Sequence, residues 1–283
     1  MHFFDAVTQF EFLRHALLAG LLGGIAAGIV GTWVVVRRTT SIAGAVAHCV
    51  LAGLGLARWL QVVHGVSWAD PMLGATAAAL IAAALIARAG SDGAEREDTV
   101  IAAIWAVGMA IGILFIASTP GYSEDLMSYL FGNILLVRTT DLWMMALLDV
   151  VVLGVVLAWH NEIQALCFDE TFARIRGLSV GRFSLLLHTI TALTVVLLVS
   201  IVGIILVIAL LTLPAAVAGR FASTLGRTMA MAVVLSVVFT TAGLGLSFSY
   251  DLPAGATTIV LAGAVYLGVR VFGNRNGGGV RGR

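Results

Sequence analysis

The sequence predicts an all-α, polytopic membrane bundle of about eight to nine transmembrane helices. Two observations lead to this fold class. Hydrophobic residues make up 60% of the chain and charged residues only 11%, whereas about 25% of the residues of a soluble domain are charged. The apolar residues also occur in long stretches, and a helix needs roughly 20 of them to cross a bilayer. A soluble globular domain is therefore excluded.

Nine stretches meet the length requirement for a membrane span, or nearly do. In chain order they cover about 16–36, 41–62, 70–89, 99–118, 141–159, 183–200, 201–219, 228–247 and 255–272. No polar loop separates the halves of 183–219, so the number of spans is either eight or nine.

The remaining segments are short. Residues 1–15 mix aromatic and charged side chains, which predicts an interfacial segment before the transmembrane domain of residues 16–272. Residues 273–283 are rich in Gly and Arg and are expected to form a disordered cytoplasmic tail. Within the loop 120–141, the apolar part at 126–137 is too short to cross. We expect it to form a helix at the mouth of the protein or a covered surface loop.

The arginines orient the chain. All 16 residues counted as Lys or Arg are arginine, and cytoplasmic loops carry the excess of positive charge. With the N-terminus outside, 13 arginines fall on the cytoplasmic side and 3 fall outside, at Arg14, Arg58 and Arg138. We therefore expect an odd number of spans, an outer N-terminus and a cytoplasmic C-terminus.

The absence of lysine restricts the chemistry. The chain has no P-loop lysine for ATP and no lysine for a Schiff base or for pyridoxal phosphate. It also lacks the HExxH and CxxC patterns of common metal and redox sites. We predict a transport subunit rather than an enzyme, with any ATP hydrolysis carried out by a separate polypeptide.

His48 is the most informative polar residue within the predicted spans. It follows Arg38 by ten residues, which places it about 15 Å into a hydrocarbon core of roughly 30 Å. Small residues share its helix face and pack against helices rather than lipid; they are Ser41, Gly44, Ala45, Ala52 and Gly55. His48 therefore points into the bundle. There it is a hydrogen-bonded core residue, a metal contact in a translocation path, or part of a proton relay.

Two further ionisable residues fall within predicted spans. Asp149, in the fifth span, is expected either to be paired within the protein or to contact a water-filled path. His188 lies near the cytoplasmic end of the sixth span, where we expect it to snorkel or to interact with the helix end rather than to bind an ion.

The cytoplasmic loop of residues 161–182 contains a predicted short helix in DETFARIRGL. Asp169 and Thr171 are helix start signals, and Gly177 is a stop signal. A charged, amphipathic helix between two spans is either an ordinary connector or a surface that docks onto a partner.

Five stretches resemble the zinc/manganese/iron ABC importer permeases, the ABC-3 family. They are VVVRRTTSIAGAVAHCVLAGLGLA, EDLMSYLFGNILLVRTTDL, FDETFARIRGLSV, VGIILVIALLTLPAAVAGRFA and YDLPAGATTIVLAGAVYL. The resemblance extends from about residue 12 to residue 272, and the last two stretches are specific in combination.

The resemblance implies a type II-like permease in the bacterial inner membrane, with the path formed by a homodimer or with a paralogous permease. Its partners would be an ATP-binding cassette ATPase subunit, a periplasmic or lipid-anchored metal-binding protein and the second permease copy; no nucleic acid is expected. The cargo would be zinc, manganese or iron, and no cofactor would stay bound. The loop positions that match the family, and that we expect to contact the ATPase, are Asp169, Glu170, Ala173, Arg174, Gly177 and Leu178.

One position departs from the family pattern. Many family members carry an aspartate four residues before the histidine that His48 matches, but here this residue is Gly44. Asp149 could supply a carboxylate from the fifth span; otherwise the ion passes with weaker, partly hydrated contacts. Two other functions stay open: a permease for a metal chelate such as a siderophore, and a stand-alone channel or secondary transporter. The small residues around His48 favour a bare ion, and no internal repeat indicates a secondary transporter.

Overall fold

The computed structural model describes residues 3–92, 97–120, 132 and 134–273. All regular secondary structure in these described residues is helical. The α-helices are α1 Phe3–Gln9, α2 Glu11–Val36, α3 Thr40–His64, α4 Pro71–Asp92, α5 Glu97–Ala117, α6 Thr139–Phe168, α7 Glu170–Ile175, α8 Val180–Val202, α9 Ile204–Phe221, α10 Leu225–Tyr250 and α11 Ala254–Gly273. A 3₁₀ turn at Ile134–Leu136 precedes α6.

Nine helices of the described residues are long and apolar enough to cross a membrane; these are all except α1 and α7. The predicted fold class is confirmed. The stretch 183–219 forms two of these helices, α8 and α9, which meet at Gly203. Its backbone has φ 82° and ψ 162°, a conformation that only glycine adopts readily. The chain can therefore separate two spans here without a polar loop.

Two helix boundaries differ from the prediction. The first span begins at Glu11, so only α1 stands apart from the transmembrane domain at this end, packed against α2 and α10. The fifth span, α6, continues to Phe168. Its backbone leaves helical geometry at Trp159, with φ −130° and ψ 32°, which is where the predicted span ends. The kink directs the last residues of α6 into the loop that was predicted at 161–182.

Two predicted segments fall mostly outside the described residues. Of the helix predicted at 126–137, only residues 132 and 134–137 are described, and they include the 3₁₀ turn. The tail predicted at 273–283 is described only at residue 273, the end of α11.

α2 occupies the centre of the bundle, where α6, α8, α9 and α10 pack against it. Small residues allow these close approaches. A Cβ at Gly28 would lie 2.5 Å from the backbone nitrogen of Val233 in α10, so the two helices cross almost in backbone contact. Close backbone packing stabilises helix pairs in lipid, where apolar burial between helices contributes little.

α3 packs against α5 on one side and α4 on another. α7 lies at the end of the bundle where α2 ends and α3 begins, and it contacts α6 and α8. The fold therefore turns the His48 side chain of α3 towards α5. It places α7, the short helix of the loop predicted at 161–182, beside the α2–α3 turn.

Candidate functional site

The His48 ring lies against α5, where it stacks on the Trp105 indole. The ring centroids are 5.0 Å apart and the planes are inclined by 26°. The side chain is half-buried, and among the described residues its buried Nδ1 has no hydrogen-bond partner. A neutral imidazole nitrogen without a protein partner can bind a cation or a water molecule.

The Trp105 indole also covers Gly44, one turn before His48. A Cβ at Gly44 would lie 2.5 Å from both Cη2 and Cζ3 of the indole. An aspartate at this position would therefore collide with Trp105 in the present arrangement. The space beside Gly44 is filled here by an aromatic ring from the neighbouring helix.

Cys49, the next residue after His48, points elsewhere. Its thiol lies 3.5 Å from the backbone carbonyl of Ile104 and next to Gly108. Adjacent residues lie about 100° apart around a helix, so His48 and Cys49 are poorly placed to act as a chelating pair.

Asp149 is buried on a different face of the protein. The residue is 5% exposed, and its carboxyl group interacts with the backbone of Ala26 in α2. No contact of ordinary hydrogen-bond geometry to either carboxylate oxygen is found in the part of the chain that the structure describes. One turn earlier in α6, the Met145 side chain would lie 3.1 Å from a Cβ at Gly23 of α2. Asp149 therefore lies on the face that α6 turns towards α2, whereas His48 faces α5.

The structure does not bring His48 and Asp149 together. Over the described ranges, no three or more His, Cys, Asp or Glu side chains group in a way that could hold a metal ion. A cation contact formed by the described residues is therefore built from few protein ligands, as suits a path in which the ion must also be released.

His188 does not snorkel, so this alternative of the expectation is wrong; its polar contacts instead lie near the start of α8, closer to the other expected alternative. Its side chain is 4% exposed, because α8 turns it towards α2. Its Nδ1 donates a hydrogen bond of 2.6 Å to the carbonyl of Ser184. The histidine faces inward where α2, α3 and α8 meet, and it lines a small cavity with Trp33 and Arg37.

α7 has the predicted start and stop signals. The Asp169 carboxylate accepts a hydrogen bond of 2.9 Å from the backbone N–H of Phe172, which caps the first turn. At the other end, Gly177 has φ 80°, and the backbone N–H of Leu178 donates to the carbonyl of Ala173 at 3.1 Å. A glycine in the left-handed region is a common way to end a helix.

The predicted contact positions of this segment have different surroundings. Asp169, Arg174 and Gly177 are exposed, Leu178 is half-buried and Ala173 is fully buried within the chain. The carboxylate of Glu170 lies 2.6 Å from the guanidinium of Arg37, at the end of α2.

Three large apolar side chains that the sequence reading missed are exposed around α7. Phe168 is 64% exposed, Phe172 48% and Ile175 81%. Phe172 and Ile175 are three residues apart in α7 and share one face of this helix, so the amphipathic pattern could have identified these two, whereas Phe168 is the last residue of α6. Exposed apolar residues grouped in this way are typical of a surface that binds another protein.

The chain is similar to known transport proteins over nearly its whole length. Residues 9–273 match the model of the ABC 3 transport family. A relative from Chlamydia pneumoniae, named "Probable metal transport system membrane protein", is 40% identical over 254 residues, which cover 90% of this chain and 86% of the relative. The manganese import system permease protein ScaB of Streptococcus parasanguinis is 32% identical over 270 residues, 95% of this chain and 93% of ScaB.

A solved structure agrees with these relatives. PsaBC from Streptococcus pneumoniae, in complex with a Fab, superposes with a TM-score of 0.81 at 29% sequence identity, and the match covers 94% of this chain and 93% of that one. The described helices thus have the same arrangement as those of the PsaBC chain. This chain, with its nine membrane-spanning helices in the described residues, belongs to the ABC 3 transport family.

Proposed function

We propose that this chain is the path-forming permease subunit of an ATP-driven importer of divalent metal ions. The observation that carries the proposal is the match to the metal permease relatives along nearly the entire chain. The architecture supports it, because the nine apolar helices of the described residues can form a path across the membrane. The chain has no lysine and hence no P-loop lysine for ATP, so ATP would be hydrolysed by a separate subunit.

Manganese is the ion that we propose first. The relative ScaB is named for manganese import, and two further relatives named MntC are called manganese transport system membrane proteins. Zinc and iron(II) are the alternatives, since imidazole binds all three ions.

The proposed contact for the ion is His48. Its Nδ1, which has no hydrogen-bond partner among the described residues, and its position facing α5 support this role. Asp149 is a second candidate contact at a separate place, since its carboxylate is buried against α2 without a contact of ordinary hydrogen-bond geometry among the described residues. The ion would then meet single protein ligands in succession and keep part of its hydration shell.

The proposed docking surface for the ATPase is α7 with its flanking residues 168–178. The exposed apolar side chains of Phe172 and Ile175 support contact with a partner, and Asp169, Glu170, Arg174 and Gly177 surround them. The arginine distribution supports a cytoplasmic location for this surface and an outer N-terminus. In this proposal a second permease copy completes the path, and a metal-binding protein outside the bacterial inner membrane delivers the ion.

Co-purification and ATP hydrolysis test this function. We expect the chain to form a stable complex with a separate P-loop ATPase, and the ATPase to be stimulated by the metal-loaded binding protein. The stimulation should be measured with manganese, zinc and iron(II) in turn. A protein that transports ions without binding any ATPase would instead be a channel or a secondary transporter.

A further inference from the structure

One ion pair connects α7 with the α2–α3 turn. Nη2 of Arg37, the residue directly after α2, lies 2.6 Å from Oε1 of Glu170, the first residue of α7. The two residues are 133 positions apart in the chain. A short charge-assisted contact thus links the proposed docking surface to the turn between two membrane-spanning helices.

The two partners differ in burial. The Arg37 side chain is only 10% exposed, whereas the Glu170 side chain is 49% exposed. Ion pairs between two exposed residues contribute little, but a guanidinium that is largely removed from water needs an anion beside it. Arg37 therefore depends on Glu170 as its counter-charge, and a displacement of α7 either moves Arg37 as well or leaves it unpaired.

Arg37 also contacts α8. Its Nη2 lies 3.4 Å from Oγ of Ser184, and this hydroxyl lies 3.3 Å from Nδ1 of His188. Further inside, Trp33 and His188 line one small cavity with Arg37. The polar contacts of Arg37 therefore reach from the surface helix α7 into the interior between α2 and α8.

The turn that carries Arg37 is short and firmly connected. α2 ends at Val36 and α3 begins at Thr40. Backbone hydrogen bonds join the N–H of Thr39 to the carbonyl of Val34 at 2.9 Å and the N–H of Arg38 to Val35 at 3.1 Å. Arg38 has φ 60°, a conformation that is uncommon outside glycine. A turn with so few free torsions passes a displacement of Arg37 on to the start of α3.

We infer that the Arg37–Glu170 ion pair transmits the movement of α7 to α3 and hence to the contact between His48 and Trp105. Arg37 is a positioning residue in this account, because it touches neither the ion nor the ATPase. The inference rests on the proposed function and adds the route within this chain by which ATP hydrolysis would change the path.

The number of manganese ions transported per ATP hydrolysed tests this route. It should be measured in proteoliposomes that contain the permease, its ATPase and the metal-binding protein. We expect Arg37→Gln and Glu170→Gln each to lower this ratio by roughly fivefold or more, the lower end of typical coupling between two sites. ATP hydrolysis should continue in both variants. Arg38→Gln is the matched control, because it removes an adjacent, exposed arginine and should leave the ratio unchanged.

The charge exchange Arg37→Glu with Glu170→Arg separates this route from other roles of either residue. If the two side chains act on each other, the exchange should restore a large part of the ratio that each single variant loses. If Glu170 instead acts only on the ATPase, the charge exchange would not restore the number of manganese ions transported per ATP. Glu170→Gln is nearly isosteric and its amide oxygen can still accept a hydrogen bond from Arg37, so it should disturb the fold less than the Arg37 variants do.

Two results would contradict the inference. One is a wild-type ratio in both single variants, even if their thermal stability falls, since the pair would then only hold α7 in place. The other is a loss that the charge exchange does not reverse. A wild-type complex without metal-dependent ATP hydrolysis would instead show that the proposed function itself is wrong.

Discussion

Replacement of Gly44 by alanine tests the packing of Trp105 beside His48. The added Cβ would lie 2.5 Å from two carbon atoms of the indole, whereas non-bonded carbon atoms prefer separations of about 3.5–4.0 Å. The indole must therefore retreat by about 1 Å, and because it stacks on His48, its retreat disturbs that ring as well. Overpacking of this kind costs about 1–3 kcal/mol.

Thermal unfolding of the purified protein in detergent measures this cost. We expect Gly44→Ala to lower the midpoint in the wild-type background but not in a Trp105→Ala background, where the alanine finds space. The difference between the two effects is the coupling between positions 44 and 105. Gly154→Ala is the matched control, since nothing lies within 4 Å of a Cβ at that position and alanine favours the helix by about 1 kcal/mol.

Two results would refute the reasoning. Equal midpoints for Gly44→Ala and Gly154→Ala would mean that no ring occupies the space beside Gly44. A penalty for Gly44→Ala that persists in the Trp105→Ala background would mean that another group fills this space.

Three further predictions concern the path, the helix break and the docking surface. His48→Ala should lower manganese uptake in proteoliposomes by about tenfold, the scale on which metal sites respond to altered ligands; uptake at the wild-type rate would make His48 a packing residue. Gly203→Ala should lower the thermal midpoint, since its φ of 82° strains other residues by about 1–3 kcal/mol, and an unchanged midpoint would contradict this. Ile175→Glu should reduce co-purification of the ATPase, whereas Leu136→Glu, also an exposed apolar position, should not; equal effects would contradict a docking role for α7.

Coupling through Gly177 can be tested in the same complex. Replacing Gly177 with a bulky residue should uncouple uptake from ATP hydrolysis, because its φ of 80° sets the end of α7 and disfavours side chains. Membrane insertion should remain intact. Unchanged uptake and unchanged metal-dependent ATP hydrolysis in this variant would contradict a coupling role for the end of α7.

The sequence predicted those features that depend on neighbouring residues. The spans follow from local hydropathy, and α7 follows from Asp169 and Gly177, whose capping contacts reach only a few residues along the chain. The resemblance to the metal permease family was also carried by continuous stretches, and it is confirmed. Even the break at Gly203 had a local signal, a glycine in an apolar stretch that is too long for one span.

The sequence could not predict the features that depend on how helices pair. Helical spacing placed His48 on an inner face of α3, but which helix covers this face depends on packing between segments that are distant in the chain. Trp105 is 57 positions from His48 by its residue number, and no periodicity links them. The same limit explains why His188 was expected to snorkel: its depth along α8 is a local property, whereas its burial against α2 is not.

The most direct test of the proposed function is ATP-dependent uptake of radioactive manganese. Proteoliposomes should contain the permease with its ATPase, hold ATP in the lumen, and receive the metal-loaded binding protein outside. The account predicts that manganese accumulates against its gradient only when ATP and the ATPase are both present. Accumulation that is equally fast without ATP, or no accumulation by an intact complex that hydrolyses ATP, would contradict it.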